Sequence, residues 1–442
     1  VSKDFTVSAQ ETTFTSRNLP AIRQDEPYCW CPEDYKVQVS FDLQGTQFTP
    51  NEYKPYSQKW EDVDNQLLKP ENTQFGKYLS FTNPFRPETK QAYNSEMSFE
   101  EKIICAFQIL KKKMAWNGRY QLYSKELEKV IPKGNGSNAD LNFILISILK
   151  DFGLEAYPVV LSRRSSGMLP YNFPSLQKLN TFIVAVYDIN KQKYVFLDGS
   201  MDVPALNILP LELSVNKARI LSPKVKEEKK WVNVMALADN KSFMKIEARM
   251  EGNQVKGHRS TILYGQEAVE YQANEKHKQD TPESNASQKN KLTVTNLKVK
   301  KQENDWALIE EEFDFVLQTD QTDSHLYINP MLFPQLKSNP FIQTERVLPI
   351  EFPYPYKFTM LTTLTLPEGY EVEETPQPQV IRTQGDGLQC KYMIQRQGNT
   401  ISLNYIFHLK EPIFLTEQYK QLQELWTKAI EKNNALIVLK KL

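Results

Sequence analysis

Apolar and polar residues alternate near the start of the chain, as in Phe5-Thr-Val7 and Tyr35-Lys-Val-Gln-Val-Ser-Phe41, the period of half-exposed β-strands. Residues 1–57 therefore predict a β-rich segment, with residues 18–27 as a proline-bounded connector. From residue 58 the spacing turns helical. Trp60, Val63, Leu67 and Leu68 share one face, and Pro70 closes the segment. A second helix opens on Ser98-Phe-Glu-Glu101, a capping-box pattern. Its apolar stripe runs through Ile103, Ile104, Phe107, Leu110 and Met114 to a stop at Trp116-Asn-Gly118. Lys111, Lys112 and Lys113 fall in the last turn, where the helix dipole favours cations. Residues 139–152 are apolar on nearly every side and predict a central, buried helix ended by Gly153.

Three strands follow, at residues 156–161, 182–187 and 193–198, the last two joined by a turn at 188–192. Beyond residue 225 the runs 243–250, 291–299, 306–316 and 401–408 read as strands of a sandwich-like domain. Residues 272–290 carry almost no apolar side chains and suit an exposed loop or a solvated helix. Tyr419, Leu422, Leu425, Trp426 and Ile430 mark one face of a late helix, and residues 435–439 a last strand. The pattern thus predicts an α+β chain of three segments: 1–57, β-rich; 58–225, mixed; and 226–442, β-rich with a terminal helix.

With 54 basic and 54 acidic residues the formal charge is zero, so no overall field draws the chain to nucleic acid or to an anionic membrane. No apolar run reaches the length of a spanning helix, and a transmembrane segment is not expected. The opening Val-Ser-Lys-Asp reads as a processing boundary, equally consistent with a removed secretion signal or an upstream domain. Cys29, Cys31, Cys105 and Cys390 are too few and scattered for a disulfide framework. Cys29-Trp-Cys31 also lacks the two-residue spacer of a redox or zinc motif. Packed thiols are the expectation, with no metal site and no cofactor.

The segment Gly134-Asn-Gly-Ser-Asn-Ala-Asp-Leu-Asn142 precedes the buried helix, Asn180-Thr-Phe-Ile-Val-Ala-Val186 forms the next strand, and Tyr194-Val-Phe-Leu-Asp198 the one after. In order, spacing and hydrophobic pattern, residues 98–215 resemble the core of the transglutaminase-like superfamily, particularly its multidomain bacterial members. The resemblance implies a transglutaminase/papain-like core followed by the β-rich C-terminal domain. It also implies a Cys opening the central helix, a His beginning the next core strand and an Asp ending the one after. A thiol at a helix N-terminus has its thiolate stabilised by the dipole, and adjacent strands bring base and orienter to it. Those positions fall here on Asn138, Thr181 and Asp198.

Only the Asp is retained. An amide is not a nucleophile and a threonine hydroxyl is not a base near neutral pH, so covalent acyl transfer is expected to be lost. Ser137, one residue earlier, also lacks a local base, because His258, His277, His325 and His408 all lie in the second half. Plainer uses exist for the same residues. Ser137 or Asn138 suits a helix N-cap, worth about 1 kcal/mol, and Asp198 before Gly199 suits a strand-end turn. Candidate binding residues are Ser137; Trp116, in a loop that family members place near the cleft; and Arg163 and Arg164, whose guanidinium forks suit a carboxylate or sugar. Against these stand packing for the tryptophan and a solvated loop for the arginines.

The resulting expectation is a pseudoenzyme: a non-catalytic binding or structural module for a protein, peptide or glycan. The resemblance further implies an exported bacterial protein of the periplasm or cell envelope. The competing expectation is a cysteine or serine acyltransferase or peptidase with an unconventional site, in which His325 or His408 reaches across a domain interface.

Overall fold

The computed structural model describes residues 13, 15–19, 21–39, 45–49, 52–55, 59–69, 71, 74–278, 292–302 and 305–442. Helix α1 (Trp60–Leu68) buries Trp60, Val63 and Leu67, the face set by their spacing. Two short helices, α2 (Gln74–Leu79) and α3 (Arg86–Ala92), follow. Neither is long enough to carry a periodic stripe, which is why spacing does not announce them. Helix α4 (Phe99–Lys113) starts on a reciprocal capping box: the Ser98 hydroxyl accepts from the Glu101 amide at 3.2 Å, and the Glu101 carboxylate accepts from the Ser98 amide at 2.7 Å. It ends at Lys113, before Trp116, because Ala115–Trp116 leaves the helix to pair in parallel with Asn135–Gly136. After α5 (Leu127–Val130) comes α6 (Asn138–Asp151), buried without interruption from Asn138 to Leu149.

Helix α6 packs on a five-stranded antiparallel sheet in the order Lys193–Leu197, Thr181–Asp188, Glu155–Leu161, Ala218–Ile220, Trp231–Val232. Phe182, Val184 and Val186 join Leu141, Phe143 and Leu145 on the helix side, while Ile183 and Ala185 meet Leu209, Leu213 and Ile220 on the other. Burial on both faces explains the unbroken apolar run of this strand. Each such side chain removed from water contributes about 1.5–3 kcal/mol. At the far edge, fully buried Arg219 forms a forked pair with Asp64 of α1 at 2.7 Å, which ties that helix to the sheet.

From Lys241 on, strands dominate, so the chain is α+β with a large β-rich C-terminal region. Eight strands form one sheet in the order Leu292–Gln302, Asp305–Gln318, Gln254–Tyr264, Lys241–Glu251, Tyr356–Thr365, Thr400–Leu409, Leu388–Gln397, Gln379–Arg382. All neighbours are antiparallel except the central pair Lys241–Glu251 and Tyr356–Thr365. A four-stranded sheet includes His325–Ile328 and Ile437–Lys441, and with α8 (Tyr419–Asn433) it shares one core with the larger sheet. Helix α7 (Gln266–Lys278) crosses from this part back to the mixed core, where Val269 packs with Val203, Ala205 and Ile208. Its Ala268, Val269 and Gln272 are buried and Ala273 is exposed, so the segment expected as an exposed loop or a solvated helix from residue 272 begins as the last turns of a helix seated at Gln272. The apolar residues that seat it lie just upstream, and residues 279–290 fall outside the described residues.

The N-terminal strands also need correction. Phe5-Thr-Val7 and residues 40–44 lie outside the described residues, Tyr35 ends a 3₁₀ turn that Pro32 starts, and residues 36–39 form no strand. The strands present there are a short hairpin, Gly45–Thr49 with Glu52–Pro55. Residues 26–35 instead lie as a strap on the C-terminal part: Tyr28 packs on Phe341 and Phe352, and the Trp30 indole donates to the Glu351 carbonyl at 3.2 Å.

Candidate functional site

The site is built where α6 begins. A Cβ on Gly136 would sit 2.7 Å from Val130 and 2.8 Å from Asp140, so only glycine lets the chain enter the helix along this path. Ser137 is the N-cap. Its hydroxyl accepts from the Asp140 amide at 3.3 Å and donates to the Asp140 carboxylate at 2.8 Å, and its own amide donates to that carboxylate at 2.8 Å. With 1% exposure and every hydrogen bond directed into the helix end, Ser137 caps α6 and presents nothing to a ligand.

One residue on, the structure brings Asn138, Thr181 and Asp198 together. The Asn138 amide donates to the Thr181 hydroxyl at 2.6 Å and to the Phe182 carbonyl at 3.2 Å, while its oxygen accepts from the Gln121 amide at 2.8 Å. Asn138 and Thr181 are both at 0% exposure. The Asp198 carboxylate accepts from the Asn142 amide at 2.8 Å, from the Ser200 backbone at 2.9 Å and from the Ser200 hydroxyl. Asn142 completes the set, donating also to the Phe182 carbonyl at 2.7 Å and accepting from the Gly199 amide at 2.7 Å. Two asparagines one turn apart thus stitch α6 to the strand Thr181–Asp188 and to the loop after Lys193–Leu197. Asn142 was not singled out from the sequence, although its four-residue offset from Asn138 puts both on one helix face.

Burial pushes the Asp198 carboxyl up, while donors from Ser200, Asn142 and Asn138 oppose the shift. Above it, the backbone of residues 119–121 closes over the helix end: the Asn138 backbone N–H donates to the Arg119 carbonyl at 3.0 Å. Trp116 packs against Tyr120 with the rings tilted at 46° and their centroids 4.9 Å apart, and it donates to the same Arg119 carbonyl at 3.1 Å. Burial raises the Tyr120 phenol well above its ordinary range, and the Asp198 charge adds to the effect. A cavity of about 210 Å³ opens beside this pair, lined by Trp116, Tyr120 and Ser200 on one side and by Val269, Gln272 and Ala273 of α7 on the other.

The two arginines part company. Arg163 lies 5.8 Å from the Tyr120 ring, and its Nε is buried without a hydrogen-bond partner. Arg164 is no solvated loop residue. It is buried, donates to the Phe352 and Pro353 carbonyls at 3.2 and 3.0 Å, and lies 4.2 Å from the Trp30 ring. Burial lowers its pKa to about 10 against the opposing charges of Glu351 and Glu212. Its donors hold the C-terminal part to the core and its guanidinium plane covers the Trp30 ring of the strap, so it is a joint among the three.

The candidate bases sit elsewhere. His258 pairs with Asp314 at 2.9 Å, and His325 lies 2.8 Å from the Ser324 hydroxyl and 3.0 Å from Glu373. His408 faces Lys410 and Lys357, which together with burial lower its pKa. The His277 side chain lies outside the described residues. The four thiols are free, and burial raises all of them, Cys29 and Cys390 to about 11, the reverse of what a nucleophilic thiolate needs. Among the described residues no group of three or more His, Cys, Asp or Glu is arranged to hold a metal, and no helix is long and apolar enough to cross a membrane.

Comparison with known proteins adds two likenesses. A family described as "Domain of Unknown Function with solved-structure structure (DUF3858)" matches residues 324–439. That span runs from the strand His325–Ile328 into its antiparallel partner Ile437–Lys441, so it closes on itself. The crystal structure of a "putative protease" from Parabacteroides distasonis is similar with a TM-score of 0.49 and 12% identity, over 91% of this chain and 63% of that one. The chain therefore spans less than two thirds of that protein's length. No curated protein matches.

Proposed function

We propose that this protein is a non-catalytic relative of the transglutaminase-like superfamily, a pseudoenzyme whose core serves as a scaffold for binding a protein, peptide or glycan. One observation carries the reading: the Asn138 side chain, at the helix-opening position where the superfamily has its cysteine, is wholly buried with both amide hydrogens and its oxygen engaged. A nucleophile must be both activated and reachable, and this group is neither. Thr181 at the base position accepts a hydrogen bond from Asn138, and Asp198 has become a structural acceptor. The remnant of a cleft is the Trp116–Tyr120 shelf beside the cavity of about 210 Å³, where a ring face suits a peptide or sugar. The resemblance also supports export to the periplasm or cell envelope, which fractionation of the source cells tests.

Chemical silence is the first expected outcome. Purified protein neither cross-links amines to glutamine donors nor cleaves peptides; turnover abolished by Ser137→Ala would refute the reading. Geometry is tested by restoring Asn138→Cys together with Thr181→His. The double variant should alkylate faster at neutral pH than Asn138→Cys alone, because the residue-181 side chain is already in hydrogen-bond reach. Equal rates in two folded variants would mean that the geometry is not that of a lost Cys–His pair.

A further inference from the structure

A second cavity, of about 450 Å³, lies over one face of five adjacent strands of the eight-stranded sheet and is roofed by α7 and the loop at Leu336. Its volume falls in the range of small-molecule sites. The rings of Tyr356, Phe358 and Phe407 form the floor, and Tyr271 of α7 enters from above. Cross-strand pairing sets this arrangement: Phe358 lies opposite Phe407 and beside Ser242, so their side chains share a face.

The charges decide what the cavity accepts. Arg259 donates to Glu311 at 2.6 Å and to Thr261 at 3.2 Å, and its guanidinium is held between Phe313 at 4.5 Å and Phe333 at 5.0 Å. The other Glu311 oxygen accepts from the Tyr271 hydroxyl at 2.6 Å. That pair is neutral as a unit, so Glu311 offsets the charge of the arginine at the cavity wall. Glu267, one turn before Tyr271, is different. Its carboxyl faces the cavity with the Ser242 hydroxyl as its hydrogen-bond partner, Glu270 is the charge beside it, and among the described residues no lysine or arginine pairs with it. With Glu267 ionised, the excess charge of the cavity is negative, beside aromatic faces that attract cations.

We propose that this cavity is a binding site for an organic ammonium ion with an apolar body, in which Glu267 is the counter-ion and Tyr271, Tyr356, Phe358 and Phe407 enclose the body. The site is independent of the pseudoenzyme reading, since it uses none of the residues around Asn138.

The test is calorimetric titration of the full chain at neutral pH with benzyltrimethylammonium and phenethylammonium, and with phenylacetate as an anion of similar size. Saturable binding of at least one cation is expected, with phenylacetate not binding. Glu267→Gln, nearly isosteric, should weaken that cation about tenfold or more with an unchanged circular dichroism spectrum. Leu336→Trp, which fills the cavity and leaves Glu267 in place, should also abolish binding, so the answer does not hang on one variant. No saturable cation binding, a preference for phenylacetate, or full affinity in folded Glu267→Gln or Leu336→Trp protein would each overturn the proposal.

Discussion

Asn138 is a single side chain that ties a helix, a strand and a loop together. The start of a buried helix, the start of one strand and the end of the next fix the backbone at residues 138, 181 and 198, so their convergence was legible from the hydrophobic pattern together with the family resemblance. What the side chains do there was not legible, because an asparagine at a helix start reads equally as a cap. The cap is Ser137, which frees the Asn138 amide to bridge the helix and the sheet. Asn138→Ala should leave the Gln121 amide and the Thr181 hydroxyl without partners in a dry interior. A loss of about 2–4 kcal/mol is expected, read from urea unfolding; a loss near zero would mean that the amide bridge holds nothing. Arg163 and Arg164 make the same point about adjacency. They are indistinguishable in sequence, yet a 3₁₀ turn at Arg164–Ser166 sends one toward Tyr120 and buries the other against Phe352.

Among the elements, the long ones announced themselves and the short or shared ones did not. Helices α4 and α8 each carry a face long enough to repeat and α6 is apolar on nearly every side over its length, whereas α2 and α3 end before a period is established. Helix α7 was hidden for another reason: polar residues fill its second half, and its seat comes from Asn240, whose side-chain oxygen accepts from the Gln266 amide at 2.8 Å. Gly265 makes that approach possible, at φ +69° and with no room for a Cβ beside Asn240. Helix α7 also carries a titration signature. Burial and the neighbouring Glu270 raise the Glu267 carboxyl above its ordinary value, with the Ser242 hydroxyl opposing. An acid whose folded pKa lies above its unfolded one contributes stability below the unfolded value, and loses it as pH rises through the folded value. Glu267→Gln cannot ionise. Its melting temperature relative to the parent should therefore rise as pH increases from the ordinary glutamate value through the raised folded one; a flat or falling difference would contradict the assignment.

At the scale of the whole molecule, the strap at residues 26–35 and the Arg164 joint hold the mixed core against the β-rich region, and neither was visible in the hydrophobic pattern. Contacts between segments more than a hundred residues apart leave no local period to read. Arg164→Met should remove two guanidinium–carbonyl bonds and the contact with Trp30, about 2–4 kcal/mol together. Calorimetry is then expected to resolve two unfolding transitions where the parent shows closer coupling; a single unshifted transition would assign the joint no mechanical role. Helix α7 has a consequence of its own at this scale. Glu267 and Tyr271 face the sheet cavity, while Val269, Gln272 and Ala273 face the opening beside Trp116 and Tyr120. A guest on one side that displaces the helix must reshape the other, and reciprocity then requires each guest to alter the affinity of its counterpart by the same factor.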